Sequence, residues 1–198
     1  EVSEGEIVGL LGRNGAGKTT SFRMTAGMIS PESGTVIFNG QDVTGVPMYQ
    51  RARRGMGYLC QEPSIFTRLT VEQNLLAILE TRPLSRKQRV QRAEELMGQF
   101  DLLKLRKQFA RTLSGGERRK LEIARALVTE PTLILLDEPF SGVDPVAVEE
   151  LQAEIHRLRD EHHIAMLVTD HNVQRTLEIV DRAYVIFEGQ VFAEGSPK

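Results

Sequence analysis

Residues 7–20 constrain this chain more than any other stretch. The short apolar strand Ile7-Val8-Gly9-Leu10-Leu11 runs into the glycine-rich turn Gly12-Arg13-Asn14-Gly15-Ala16-Gly17, which opens a helix at Lys18-Thr19-Thr20. Strand, loop and helix in that order form a cradle for phosphate. Gly12, Gly15 and Gly17 allow sharp bends that bring backbone N–H groups against phosphate oxygens, and the positive end of the following helix dipole points at the same place. Lys18 adds a compact charge for β- and γ-phosphates. The Thr19 hydroxyl is expected to ligate Mg²⁺, a cation that takes few protein ligands together with substrate oxygens.

A second motif supplies the acids that polyphosphate chemistry needs. Leu133-Ile134-Leu135-Leu136-Asp137-Glu138 is a continuous apolar run ending in two carboxylates, as expected of a strand buried on both faces of a parallel sheet. Such sheets bind ligands outside the C-terminal ends of their strands. Neighbouring strand residues point to opposite faces, so the two acids divide the work: Asp137 organises the Mg²⁺ shell, and Glu138 aligns and deprotonates the attacking water. Taken alone, the pair would serve equally well as a strand cap ahead of a turn at Pro139.

The rest of the chain alternates in a way that fits one α/β domain over residues 1–198. Residues 35–38 read as a strand turning at Asn39-Gly40 and returning through Gln41-Asp42-Val43, which predicts a small antiparallel edge. Val71, Leu75, Leu76 and Leu79 keep helical spacing, and Ser85 caps a charged amphipathic helix carrying Val90, Ala93, Leu96 and Met97. An inserted helical lobe over about 64–112 is therefore expected. Strands near Leu133, Ala165 and Ala183 alternate with helices at 146–159 and 173–180, and Glu188-Gly189 turns a final hairpin. The expected fold is a P-loop NTPase (RecA-like) core with an antiparallel β edge region and an inserted α-helical lobe.

Leu113-Ser114-Gly115-Gly116-Glu117 narrows the class. Ser114-x-x-Glu117 ahead of Leu121, Ile123 and Ala124 is a capping box for a helix running to about Val128. Beside the phosphate loop, the same five residues resemble the signature of ABC-type ATPases. Three further residues follow that family's order: Gln61 after Gly57-Tyr58-Leu59, Asp144 in Ser141-Gly142-Val143-Asp144, and His171 after Ala165-Met166-Leu167-Val168-Thr169. Each also has a plain reading, as loop amide, N-cap ahead of Pro145 and helix-start residue respectively.

The resemblance implies ATP as substrate and Mg²⁺ as cofactor. It places Gly12, Asn14, Gly15, Ala16, Gly17, Lys18, Thr19 and Thr20 on the bound ATP, and Ser114, Gly115, Gly116 and Asp144 at a site shared with a second copy of the chain. Glu138, His171 and Gln61 become the catalytic set, and Thr19, Gln61 and Asp137 the Mg²⁺ set. In this family an aromatic residue upstream stacks on adenine, and no candidate precedes Ile7.

Within the family, Gln61-Glu62-Pro63-Ser64-Ile65-Phe66, the run LSGGERRKLEIARA from Leu113, Leu136-Asp137-Glu138-Pro139-Phe140 and Thr169-Asp170-His171-Asn172-Val173 resemble the group that powers lipopolysaccharide export. Branched-chain amino-acid import cassettes are the nearest alternative, and non-transport ABC ATPases a third. Arg13 and Cys60 stand where the export group's pattern carries prolines, and Ser141 where it carries alanine. The resemblance implies two transmembrane permease subunits as partners and a peripheral place on the cytoplasmic face of a bacterial inner membrane. Phe66, a large apolar residue in a polar loop, is either a partner anchor or a packed residue of the helical lobe.

A net charge of -2 with mixed signs offers no general attraction to nucleic acid. Arg51-Ala52-Arg53-Arg54 is expected to be a solvated helix face. No apolar run reaches the ~20 residues of a membrane helix, and a single cysteine, Cys60, excludes an internal disulfide. His156, His162 and His163 lack ligand spacing and read as surface residues. Residue 1 is Glu, strand signals begin almost at once, and the chain ends in Gly195-Ser196-Pro197-Lys198. Further segments at both ends are therefore expected.

Overall fold

Strand β1 (Ile7–Leu11) buries every one of its residues, as a strand covered on both faces requires. In the computed structural model, which describes residues 1–197, the chain divides into two compact units. The first comprises Glu1–Gln61, Pro131–Pro139 and Glu154–Lys198, and the second Glu62–Glu130 and Phe140–Ala153. The second unit therefore extends past the helical segment read from the sequence and includes the helix that follows Ser114.

The first unit is built on a six-stranded sheet. With β4 (Met56–Leu59), β5 (Leu133–Asp137), β6 (Ala165–Thr169), β7 (Arg182–Phe187) and β8 (Gln190–Gly195), the spatial order is β4-β5-β6-β1-β7-β8. All neighbouring pairs are parallel except β7–β8, which is an antiparallel hairpin. Helix α1 (Lys18–Ala26) follows the glycine loop and ends at Gly27, whose φ of 79° suits a residue without Cβ. Phe22 and Ala26 of α1 join Leu10, Phe38, Val43, Met56, Leu135 and Ile186 in one core cluster.

The expected antiparallel edge is present but short. Strands β2 (Ile37–Phe38) and β3 (Gln41–Asp42) pair across Asn39-Gly40, both at positive φ. Beyond Ile37 a side chain continues the ladder: the Val36 N–H donates to Thr44 Oγ1 at 2.8 Å.

Helix α2 (Met48–Arg53) overturns one expectation from the sequence. Arg51 is not on a solvated face but 1% exposed. Its guanidinium donates to the carbonyls of Val46 (2.7 Å), Met24 (2.9 Å), Thr25 (2.6 Å) and Thr44 (2.9 Å). A planar fork of five N–H donors suits converging carbonyls, and burial is tolerated because the polar hydrogens find acceptors. Gly27 makes room for it, since a Cβ there would lie 2.7 Å from Arg51 Nε.

In the second unit, α3 (Val71–Leu79), α4 (Arg86–Gln99) and α5 (Gly115–Ala126) pack together. Thr70, Ser85 and Ser114 each complete a capping box with the residue three places on. α6 (Pro145–His162) begins in this unit and ends in the first, and α7 (Val173–Leu177) is capped by Asn172. Among the described residues, no helix is long and apolar enough to cross a membrane.

Arg51→Met should lower the unfolding free energy by about 3–5 kcal/mol, because the carbonyl oxygens stay buried and lose their donors. Urea denaturation checks this. A loss below about 1 kcal/mol would show that the cluster is not holding α1 and α2 together.

Candidate active site

Three parallel strands end side by side and present the candidate residues of the first unit. The loop after β1 carries the phosphate motif, β5 ends in Asp137, and β6 ends in Thr169 opposite it in register. Gly12, Gly15 and Gly17 adopt φ of 156°, 82° and 105°. At Gly12 a Cβ would stand 2.4 Å from the Ile186 carbonyl oxygen, so that glycine is demanded by close approach as well as by φ. Lys18 is buried, and its ammonium donates to the carbonyls of Gly12 (2.7 Å) and Arg13 (3.1 Å) at the heart of the loop. Ala16 is buried, Thr19 half-buried, and Asn14 and Thr20 exposed.

Glu138 is the centre of the carboxylate cluster. It is 5% exposed and sits at φ 51°, outside the strand conformation of the residue before it. The left-handed backbone is held by its N–H, which donates to the Thr169 carbonyl at 2.7 Å. This turn aims the side chain between two predicted partners. His171 Nε2 lies 2.7 Å from Glu138 Oε1, and the Gln61 amide donates to Oε2 at 2.8 Å. The structure thus brings Gln61, Glu138 and His171 into direct contact.

Asp137 is 1% exposed and accepts from the Tyr58 hydroxyl at 3.3 Å. Burial, with the Asp137 charge behind it, pushes the Tyr58 phenol up to about 12. Tyr58 therefore stays a donor toward Asp137 throughout the neutral range. Its contact was missed in the sequence, where Tyr58 reads as one more apolar strand residue. Asp170 is likewise buried and accepts the Asn172 N–H at 2.9 Å, shaping the turn that carries His171.

The remaining predicted residues form a separate group in the second unit. Ser114 is exposed at the N-terminus of α5, where its hydroxyl accepts from the Glu117 N–H at 3.3 Å. Added Cβ atoms at Gly115 and Gly116 would lie 2.7 Å from the Gly142 carbonyl oxygen and 2.6 Å from Ala147 Cβ. Both glycines thus allow α5 to seat against the segment carrying Asp144. Asp144 Oδ1 accepts the Ala147 N–H at 3.0 Å and caps α6.

Hard oxygen donors dominate the candidate Mg²⁺ set of Thr19, Asp137 and Gln61. Among the described residues, no group of three His, Cys, Asp or Glu side chains is gathered to hold a metal. One carboxylate, one hydroxyl and one amide fit a cation that completes its shell with water and substrate phosphate.

Parallel sheet, phosphate loop and terminal carboxylates define a P-loop nucleotide-binding protein. The ABC transporter family model matches residues 1–141, and the chain belongs to that family. It is 50% identical over 198 residues to the lipopolysaccharide export system ATP-binding protein LptB of Acidithiobacillus ferridurans, covering 100% of this chain and 82% of that protein. An uncharacterized ABC transporter ATP-binding protein of Rhizobium meliloti is 53% identical over 194 residues, covering 98% and 72%. Among solved structures, cbiO1 of Clostridium perfringens, part of the ABC transporter complex cbiONQ, matches with a TM-score of 0.91 at 27% identity, covering 100% of this chain and 80% of that one.

Burial raises the Glu138 carboxyl above its ordinary value, with His171 and Lys18 opposing and Asp137 and Asp170 reinforcing. A raised folded-state value favours the protonated form. That contribution is complete below the ordinary value of 4.5 and is lost as pH rises through the folded one. Glu138→Gln, which does not ionise, should therefore gain stability relative to the parent protein as pH rises from 4 to 7. Denaturation curves across that range test this, and a gap independent of pH would contradict it.

Proposed function

We propose that this chain is the ATP-hydrolysing subunit of an ABC transporter that exports lipopolysaccharide. The hydrolytic reading rests on Glu138, a buried carboxylate oriented from both sides by Gln61 and His171. The cargo rests on half-identity, along the whole chain, to a lipopolysaccharide export ATP-binding protein.

The phosphate loop N–H groups and Lys18 bind and orient the triphosphate, while Glu138 accepts a proton from the attacking water. Gln61 and His171 fix the plane of the Glu138 carboxylate, which sets where that proton goes. Mg²⁺, held by Thr19, Asp137 and Gln61, would supply charge neutralisation at the phosphates. Ser114 and Gly115 are exposed at a helix N-terminus, with Gly116 buried behind them, and such a terminus is the kind of group that binds anions. We assign it to the γ-phosphate on a second copy, with Asp144 at the same junction, so that two chains enclose two ATP molecules.

Two transmembrane permease subunits would receive the resulting motion, with the chain peripheral at the cytoplasmic face of the inner membrane. Phe66 is 44% exposed, and the Arg125 guanidinium lies 5.1 Å from its ring centre. An exposed aromatic backed by a cation, five residues past Gln61, fits an anchor for such a partner.

Glu138→Gln should retain ATP and lose hydrolysis by about 10²–10⁴-fold, measured as phosphate release beside equilibrium nucleotide binding. Normal turnover would remove Glu138 from its role. Phe66→Ala should keep the ATPase rate of the isolated subunit while less permease co-purifies from detergent-solubilised membranes. In the same experiment, mass spectrometry of the partners decides the cargo: amino-acid permeases would defeat the export reading.

A further inference from the structure

We propose that Glu122, a buried acid on α5, is a positioning residue that fixes the loop carrying Phe66 in the shape a permease subunit docks on. This rests on the transporter reading above, in which Phe66 is the anchor. Glu62, Pro63 and Phe66 are exposed, and Ile65 is buried between Ser64 and Phe66. An exposed stretch of this kind draws its shape from its neighbours, and the second unit supplies three holds. The Ser64 N–H donates to Glu122 Oε1 at 2.8 Å, and the Arg125 guanidinium donates to Ser64 Oγ at 2.6 Å. The backbone of Phe66 is met twice by Asn74, whose Oδ1 accepts the N–H at 2.8 Å and whose amide donates to the carbonyl at 3.1 Å.

Glu122 is 3% exposed and Arg119 6%. The Arg119 guanidinium donates to Glu122 Oε2 at 2.8 Å, and Oε1 serves the loop. Ion pairs at this helical spacing add little where water screens them. Buried, such a pair costs desolvation that only good geometry and further hydrogen bonds offset. Here the further hydrogen bond goes to a backbone N–H two residues before Phe66, so the buried acid shapes the docking loop. Along the axis of α5, Glu122 lies about 12 Å from Ser114, the N-cap of that helix. The helix assigned to the nucleotide on a second copy is thus also the helix that shapes the loop for the permease.

The experiment compares recovery of the permease subunits, identified by mass spectrometry, when the intact protein is purified from detergent-solubilised membranes. Removing Glu122 alone would strand the Arg119 charge, so the informative variant combines Arg119→Met with Glu122→Leu, an apolar pair that leaves no buried ion. Its recovery of permease should fall about 10-fold or more, the size of one hydrogen bond to a charged group. Glu122→Gln keeps an oxygen for the Ser64 N–H and should recover far more permease than the double variant. Hydrogen exchange on the isolated proteins should show the Ser64 amide losing protection in the double variant while α5 keeps its own. ATP hydrolysis by the isolated double variant should persist, because Gln61 is held by Glu138. Undiminished permease recovery in the double variant overturns the proposal, and so does a loss in Glu122→Gln as large as the double variant's. Lost protection throughout α5 overturns it too, since Glu122 would then be supporting the helix itself. If the parent protein recovers no permease, the transporter reading falls instead, which is a different result from any of these.

Discussion

Parallel pairing of β5 and β1 with the β6 strand between them is the constraint on which the first unit's site depends. It brings the glycine loop, Asp137 and Thr169 out at one edge of the sheet. From that edge a single backbone hydrogen bond, Glu138 N–H to the Thr169 carbonyl, turns the next residue out of strand geometry. A non-glycine residue at positive φ costs free energy of order 1 kcal/mol or more, and persists where the surroundings over-determine it. Here the sheet register, the turn carrying His171 and the Gln61 amide all act on the same carboxylate.

Close approach is the second organising fact. Gly12 and Gly116 are usually understood by what they offer a ligand. In this fold each also stands where a Cβ would strike another element, the Ile186 carbonyl in one case and Ala147 in the other. The ligand-binding motifs are therefore also packing motifs within their own units. Substitution at either position would disturb the seating of a neighbouring segment before any ligand arrived.

Much of this was legible in the sequence because the signals are local. Asn39-Gly40, the cap at Ser85, the capping box at Ser114, and the apolar runs of β1 and β5 each depend on residues a few places apart. Candidate residues were legible as motifs, but their mutual contact was not: the φ of Glu138 depends on a carbonyl 31 positions away at Thr169. Arg51 was misread for a related reason. Charge clusters are normally solvated, and only the chain's path brings four carbonyls from two other segments around that guanidinium.

The Arg51 cluster also changes what α1 is. Its acceptors at Met24 and Thr25 lie at the C-terminal end of that helix, where the macrodipole is negative, while the phosphate loop occupies the positive end. Nine residues make a rod of about 13 Å, terminated at one end by a buried cation and at the other by the place for an anion. Because the same guanidinium also holds the carbonyls of Thr44 and Val46, α1 is tied at its negative end to the segment that follows the β2–β3 hairpin.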